Sequence, residues 1–371
     1  MQKIYLDYNA STPVAHEVVD AMYPLLKDYY GNPSALHWAG KPVKELLHNA
    51  RKQVSELICS SISEIIFTSG GSEANNLAIK GFYFKNQHKG NHIITSKIEH
   101  PAVLNPCRFL EKIGARVTYV GVDQYGRVSP EEVENSITKD TILISIMHSN
   151  NETGTLQPIG DIGEMAQRYG IAFHTDASQS AGKVPVDVNA LKVDMLTIAG
   201  HKLYAPKGIG ALFLRKNVEI EPLIHGAGHE NGLRAGTENT LLGVGLGKAC
   251  EIASLQISSS NQKELTNYFW RRLQSEFGEM VVLNGHPEEK LPNTLNVSFV
   301  GRMGQDLLDK IPNLAASTGS ACHAGSIELS PVLKEMNVPK EIGMGAIRFS
   351  IGRDTTKEEI DTVIKRFKEI Y

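Results

Sequence analysis

Cysteine is scarce: the 371 residues hold four, Cys59, Cys107, Cys250 and Cys322. No two of them sit at metal-ligand spacing and they suggest no disulfide framework, which excludes a structural metal cluster and a small disulfide-stapled scaffold. The chain also lacks any run of about 20 apolar residues, which excludes a membrane-spanning helix. Charge of either sign is nearly balanced, with 38 Lys and Arg against 41 Asp and Glu and a formal net charge of −3. No basic stripe is interleaved with aromatics, so no nucleic-acid footprint is expected. Internal repeats, low-complexity tracts and blocks of like charge are missing too. The opening Met1–Leu6 runs directly into structured sequence without an apolar leader core, so no signal peptide is expected and the expected compartment is the cytoplasm, which suits a reactive thiol.

What is there begins with a rhythm. Short apolar runs alternate with helical spacing from Ile65 to Leu214, passing through Ile93-Ile94, Val117–Tyr119, Ile142–Ile146, Ala172-Phe173 and Leu196–Ile198. That alternation predicts βαβ units around a mostly parallel sheet, an α/β fold. After Gly236 the texture changes. A long helical pattern from Thr240 to Phe277, interrupted near Ser258–Ser260, leads to a strand candidate at Thr294–Val300 and a closing helix from Lys357 to Tyr371. This second region reads as a smaller α+β unit, and the length allows roughly two to three domains.

The chemistry-bearing residues fall at the ends of the strand candidates. Lys202 follows the run Val193–Ile198 in Ala199-Gly200-His201-Lys202. A lysine held at a strand mouth can lose its proton and form a Schiff base with an aldehyde, for which pyridoxal phosphate is the most economical choice. A surface lysine at a turn is the plain alternative. Asp176 ends the strand candidate at Ile171–Asp176, where ligands of α/β sheets bind. It is either the carboxylate that keeps a pyridinium nitrogen protonated or a helix N-cap. Gln179 either donates to a cofactor oxygen or lines a turn. Gly70-Gly71-Ser72 stands between an apolar strand and a helical segment, so backbone N–H groups there can cradle a phosphate, although Gly-Gly is also an ordinary turn. His100 follows the strand candidate at His92–Thr95 and is either catalytic or a hydrogen-bonded structural residue. Cys322 lies in a small-residue stretch, Ala315–Ser326, with no apolar period before Ser330-Pro331-Val332-Leu333. That predicts a mobile, exposed loop carrying a thiol, with His323 placed to lower its pKa; an inert buried thiol is the alternative.

Taken together, these motifs resemble the NifS/IscS-type cysteine desulfurases, pyridoxal-phosphate enzymes of the class V aminotransferase family and of fold type I. The resemblance runs through Tyr5–Pro13, Gly31–Ser34, Thr68-Ser69-Gly70, Glu99-His100, Asn150–Gly154, Asp176–Ser180, His201-Lys202, Arg234–Asn239, Ser320-Ala321-Cys322 and Ile347–Ser350. It covers essentially the whole chain, and the collinear set is far more specific than any one motif. It implies a large pyridoxal-phosphate-binding α/β domain over 16–260. Residues 1–15 and 261–371 would form a smaller α+β domain carrying the catalytic cysteine.

The resemblance also implies roles. Lys202 is the covalent cofactor lysine, Asp176 the pyridine-nitrogen partner and Gln179 the ligand of the ring hydroxyl, with His100 stacked on the ring. Gly71, Ser72 and His201 fall where the family binds the phosphate, and Thr237 where a neighbouring subunit lends it a hydroxyl, so a homodimer is expected. Asn151 and Arg348 fall where the substrate carboxylate is held, a task that suits the guanidinium fork. Without the resemblance, Arg348 reads as a structural ion pair near the C-terminal helix. Ala199 departs from the family, where a serine on the phosphate is common. The implied reaction turns L-cysteine into L-alanine, leaving a persulfide on Cys322 for a sulfur-acceptor or iron–sulfur scaffold protein. Selenocysteine lyase is the main competing reading, because histidine rather than threonine follows the cysteine and Ser330–Leu333 and Arg353–Thr356 look closer to that branch. A non-catalytic sulfur-transfer scaffold and a plain aminotransferase are further alternatives, opposed by the intact Lys202, Asp176 and Cys322 set and by the cysteine-bearing stretch respectively.

Overall fold

The computed structural model describes residues 3–257, 261–323 and 326–371, with the backbone alone for 320–323, 326 and 327. A two-residue strand, β1 (Ile4–Tyr5), opens the chain. The alternating segments then form β2 (Ile65–Thr68), β3 (His92–Ser96), β4 (Arg116–Val120), β5 (Thr141–Ser145), β6 (Ala172–Asp176), β7 (Met195–Ala199) and β8 (Gly210–Leu214). They make one seven-stranded sheet in the order β2-β8-β7-β6-β5-β3-β4. Every pairing from β7 across to β4 is parallel, whereas β8 runs antiparallel to both β2 and β7. The sheet is therefore mostly parallel, as the rhythm predicts. Strands β3, β5, β7 and β8 are buried along their whole length, the mark of a sheet covered on both faces.

Helices supply that cover. Gly40–Leu57 buries Val43, Leu47, Ala50, Val54 and Leu57, one apolar stripe at helical spacing. It packs on Thr240–Gln256, where Gly247 admits a close approach: a Cβ there would lie 2.6 Å from Ala50 Cα. Each fully buried aliphatic side chain of such a stripe contributes about 1.5–3 kcal/mol.

The second region forms its own core. Strands β9 (Val281–Asn284), β10 (Thr294–Phe299), β11 (Leu314–Ala315), β12 (Ser317–Thr318), β13 (Ser320–His323), β14 (Ser326–Leu329) and β15 (Ala346–Ser350) complete the strand set. Four of them form a sheet in the order β12-β15-β10-β9. The helices Gln262–Phe277 and Lys357–Ile370 cover it. Phe299 and Phe367 stack at 5.0 Å between ring centroids, with Phe349 edge-on to Phe367 at 5.9 Å. Ile4 and Leu6 join this core, because β1 pairs in parallel with β11. That pairing threads residues 7–12 between the two sheets.

One segment differs from its sequence reading. The stretch around Cys322 is not an irregular loop: β13 and β14 form an antiparallel hairpin in which Cys322 faces Ile327 in register. The first strand, Ser-Ala-Cys-His, has no apolar alternation and the second only Ile327 and Leu329, too short a period to mark a strand, while ladder hydrogen bonds leave no pattern in the sequence. The Cys322 and His323 side chains lie outside the described residues, as do Ala324 and Gly325.

Candidate functional site

The carboxyl ends of β2, β3, β5, β6 and β7 open on one side of the large sheet, where loops leave strands and ligands bind in α/β folds. A cavity of about 760 Å³ occupies that position, and Gly71, Ser72, His100, Asn151, Asp176, Gln179, His201, Lys202 and Arg348 all line it. The structure thus gathers nine of the eleven predicted site residues. Thr237 is exposed and lies outside the cavity's lining. Cys322 is placed by its backbone only, on the hairpin whose ends are Gly319 and Ser330.

At one wall, β2 ends in Thr68 and the chain turns through Gly70, with φ +152°, into a helix beginning at Gly71. At Gly71 a Cβ would meet Ser178 Oγ at 3.0 Å and Ala199 Cβ at 3.1 Å, so the backbone itself lies against the cavity. The first N–H groups of a helix have no partners within it, so they are presented to whatever fills the space. Glu73 holds the turn from outside: it accepts from Ser69 N at 2.8 Å and from Arg234 Nε at 2.9 Å.

Asp176 sits at the floor. Its Oδ2 accepts from Asn75 Nδ2 at 2.7 Å and its Oδ1 from Ser178 N at 2.9 Å. Two donors on the buried carboxylate fix its plane. His100 Nδ1 accepts from Ala102 N at 3.1 Å, which in the neutral ring leaves the proton on Nε2. Desolvation lowers the pKa of His100, and Lys202 lowers it further against the pull of Asp176. His201 is pushed down to about 4, chiefly by burial and then by Lys202.

Lys202 follows β7. Burial, then Arg348, bring its pKa down to about 8, while Asp7 and Asp176 pull it back up. Its Nζ donates to Asn9 O at 2.6 Å and Ala10 O at 2.8 Å. Gln179 Nε2 donates to the same Asn9 O at 2.9 Å. Lys183, pushed down to about 7 by burial and the nearby cations Lys202 and Arg348, donates to Gln179 Oε1 at 3.0 Å and Asn9 Oδ1 at 3.2 Å. In its ammonium form, which only donates, Lys183 holds the Oε1 end of the Gln179 amide toward itself.

Arg348 is both more and less than its sequence reading. It does form an ion pair, with Nη2 donating to Asp7 Oδ1 at 2.7 Å and to Ser317 Oγ at 3.0 Å, while Nη1 donates to Asn151 O at 3.0 Å. Its partner is the N-terminal segment, however, not the C-terminal helix. The Nε of the same guanidinium is buried without a hydrogen-bond partner among the described residues, and the residue lines the cavity.

Asn9, Asn75, Asp7 and Lys183 were given no role by sequence reasoning. Asn9 is the hub: 1% exposed, it links Lys202, Gln179 and Lys183 to Thr294, 285 residues away. The available signal was the Tyr5–Pro13 motif, which carries the resemblance but gives Asp7 and Asn9 no role of their own.

An α/β enzyme with a lysine of lowered pKa, a fixed carboxylate and a glycine-lined helix start around one cavity is the class that this fold and site define. The family model for aminotransferase class V matches residues 4–363. The chain is 47% identical over 373 residues to the cysteine desulfurase IscS of Dictyoglomus turgidum, covering 100% of this chain and 94% of that one. Among solved structures, a NifS-like protein superposes with a TM-score of 0.93 at 36% identity, covering 100% of this chain and 99% of its own. A structure of SspA in complex with cysteine superposes with a TM-score of 0.85 at 41% identity, over 96% and 100% of the two chains. The chain belongs to the class V aminotransferase family.

Proposed function

We propose that this chain is a pyridoxal-phosphate-dependent cysteine desulfurase that converts L-cysteine to L-alanine and keeps the sulfur as a persulfide on Cys322. The convergence of Lys202, Asp176 and the Gly70–Ser72 turn on one cavity carries the reading. The cavity suits the cofactor. The Gly71 backbone makes a cradle that a Cβ would crowd, and the doubly bonded Asp176 carboxylate matches a protonated ring nitrogen. When bound, the cofactor supplies an electron sink for charge developing at the substrate α-carbon.

The chain's own residues do the rest. Arg348 and Asn151, which line the cavity, bind the substrate carboxylate and fix the amino acid's orientation. Lys202 would hold the cofactor covalently and, as a free amine, would move the substrate α-proton, and His100 lines the same cavity to assist that transfer. Gly71, Ser72 and His201 hold the phosphate. The Cys322 thiolate attacks the substrate sulfur: an S–S bond forms as the C–S bond breaks, the bonding pair stays with carbon, and a proton takes the sulfur's place. The persulfide then passes to an acceptor protein for iron–sulfur assembly or thiolation. On this reading residues 16–260 serve as the cofactor domain, and 1–15 with 261–371 as the domain carrying Cys322. Incubation with L-cysteine under reductant should yield alanine and sulfide in equal amounts; absence of both defeats the proposal.

The pKa of Lys202 gives a pH prediction. Only the neutral amine attacks an aldehyde, so below about pH 8 the rate at which apoprotein takes up pyridoxal phosphate should rise nearly tenfold per pH unit and level off above pH 8. Uptake followed by absorbance from pH 6 to 10 checks this. A rate still climbing at pH 10 would show an ordinary lysine.

We further propose a homodimer in which Thr237 completes the neighbouring subunit's phosphate site. Leu36 and Trp38 are exposed at 83% and 77%, and Tyr23, Leu26 and Tyr30, near them in sequence, are exposed too, apolar area that a partner copy would cover. Thr237→Ala is expected to weaken cofactor binding by ~1.5–3 kcal/mol, the value of a hydrogen bond to a charged group. Equilibrium dialysis measures it, and a monomer with full cofactor affinity in sedimentation overturns it. Among the described residues no helix is long and apolar enough to cross a membrane, and the proposed compartment is the cytoplasm.

A further inference from the structure

The turn that carries Asn151 and the hairpin that carries Cys322 belong to different sheets, yet hydrogen bonds close a ring through both. Asn150 Oδ1 stiffens the turn by accepting from Glu152 N at 2.8 Å and Thr153 N at 3.1 Å. Asn151 O accepts from Arg348 Nη1 at 3.0 Å, and Glu152 O accepts from Asn296 Nδ2 at 3.1 Å. Arg348 lies on β15, two residues after Ala346, whose carbonyl accepts from Gly319 N at 2.9 Å. Gly319 O in turn accepts from Ser330 N at 2.8 Å, closing the hairpin's base. There is no slack at this corner, since a Cβ on Gly319 would lie 2.6 Å from Ala346 Cβ.

Glu152 supplies the remaining link. Its Oε2 accepts a hydrogen bond from Ser330 Oγ. The same hydroxyl accepts from Val332 N at 3.1 Å and Leu333 N at 3.4 Å, capping the helix that follows the hairpin. Burial pushes the Glu152 carboxyl upward against the pull of Ser330 and Arg348.

We infer that Glu152 is a positioning residue that ties the base of the Cys322 hairpin to the Asn151 turn, so that the groups holding the substrate carboxylate and the strand carrying the thiol keep one register. The inference rests on the desulfurase reading and deepens it. Substrate sulfur and thiol must meet at reacting distance, and the sulfur's position is set from the carboxylate end. An error in register between the two therefore falls on the sulfur step and not on binding.

The test uses the holoenzyme and three variants, Glu152→Ala, Glu152→Gln and Ser330→Ala. The cofactor's spectral change on adding L-cysteine measures binding. Single-turnover mass spectrometry measures persulfide on Cys322, and iodoacetamide alkylation of Cys322 with and without L-alanine measures how the thiol responds to an occupied carboxylate site. Glu152→Ala and Ser330→Ala should bind cysteine within about twofold of wild type yet form persulfide on the order of 10- to 100-fold more slowly, the cost of an ångström-scale misplacement. They should also lose the effect of L-alanine on alkylation. Glu152→Gln, which keeps the acceptor oxygen, should restore most of the rate. If Glu152→Ala does not fold, Glu152→Asp, shorter by one methylene, should show the same split between binding and persulfide formation. Wild-type persulfide rates in the alanine variants, or binding and persulfide formation falling together, overturn the inference. A wild-type enzyme that forms no persulfide on Cys322 overturns the desulfurase reading beneath it instead.

Discussion

Lys202→Ala is expected to abolish alanine formation from L-cysteine while leaving the chain folded. The side chain is half-buried, and its two hydrogen bonds run to backbone carbonyls of Asn9 and Ala10. Asn9 O keeps Gln179 Nε2 as a donor after the change, so the stability loss should stay near the ~1 kcal/mol of a typical hydrogen bond. Catalysis loses far more, because proton transfer by a placed side chain is worth ~10²–10⁴-fold by itself, and the covalent anchor goes with it. The decisive measurement is a map. Borohydride reduction of the wild-type holoenzyme, followed by proteolysis, should place the cofactor on the peptide holding Lys202. Lys183 makes this a sharp test: it is also tied to Gln179 and Asn9 and is held near neutrality, at about 7. Label on Lys183 would reverse the assignment of the two lysines.

Part of the site was legible because Lys202 and Asp176 each come at the end of a strand, while Asn151, Arg348 and Thr237 were reached only through the resemblance. Lys202 and Asp176 follow short apolar runs whose termination is a local event, visible as a change from β-branched and aromatic residues to His, Asp and Gly. In a mostly parallel sheet the carboxyl ends of the strands lie together, so residues found one by one at those ends arrive in one cavity. The network around Asn9 has no such local signature. Its partners Gln179 and Thr294 are 170 and 285 residues away, and the parallel pairing of β1 with β11, together with the bridge from Asp7 to Ser350, brings it there. The Arg348–Asp7 pair is of the same kind, joining residues 341 apart. The hairpin of Cys322 was misread for the opposite reason. Its order is local, but Ser, Ala and Gly carry no periodic apolar signal, and the two alternating residues Ile327 and Leu329 are too few to mark a strand. Antiparallel β8 shows a further limit, since a buried apolar strand reads the same in either direction.

Cys322→Ala is expected to end sulfide and alanine formation from L-cysteine altogether, and its effect on L-selenocysteine separates two readings of the site. A thiolate leaves carbon poorly, so removing the substrate sulfur needs a nucleophile to take it. Selenium departs with less help because a selenol is the stronger acid, so the same variant can retain selenide release. No other cysteine is poised to substitute. Burial pushes the Cys107 thiol up to about 12 and raises Cys250 further, and Cys59 is raised by burial and by Asp187. Thiolate, the reactive form, is therefore suppressed at all three. Mass spectrometry after L-cysteine without reductant should find the extra sulfur on Cys322 and on none of Cys59, Cys107 or Cys250. Wild-type desulfuration by the Ala variant would remove Cys322 as the acceptor. Activity of the unmodified chain on L-selenocysteine alone would replace desulfurase by lyase while leaving the roles of Lys202, Asp176 and Arg348 as they stand, because those residues act on the cofactor and on the amino-acid end of the substrate and not on the chalcogen.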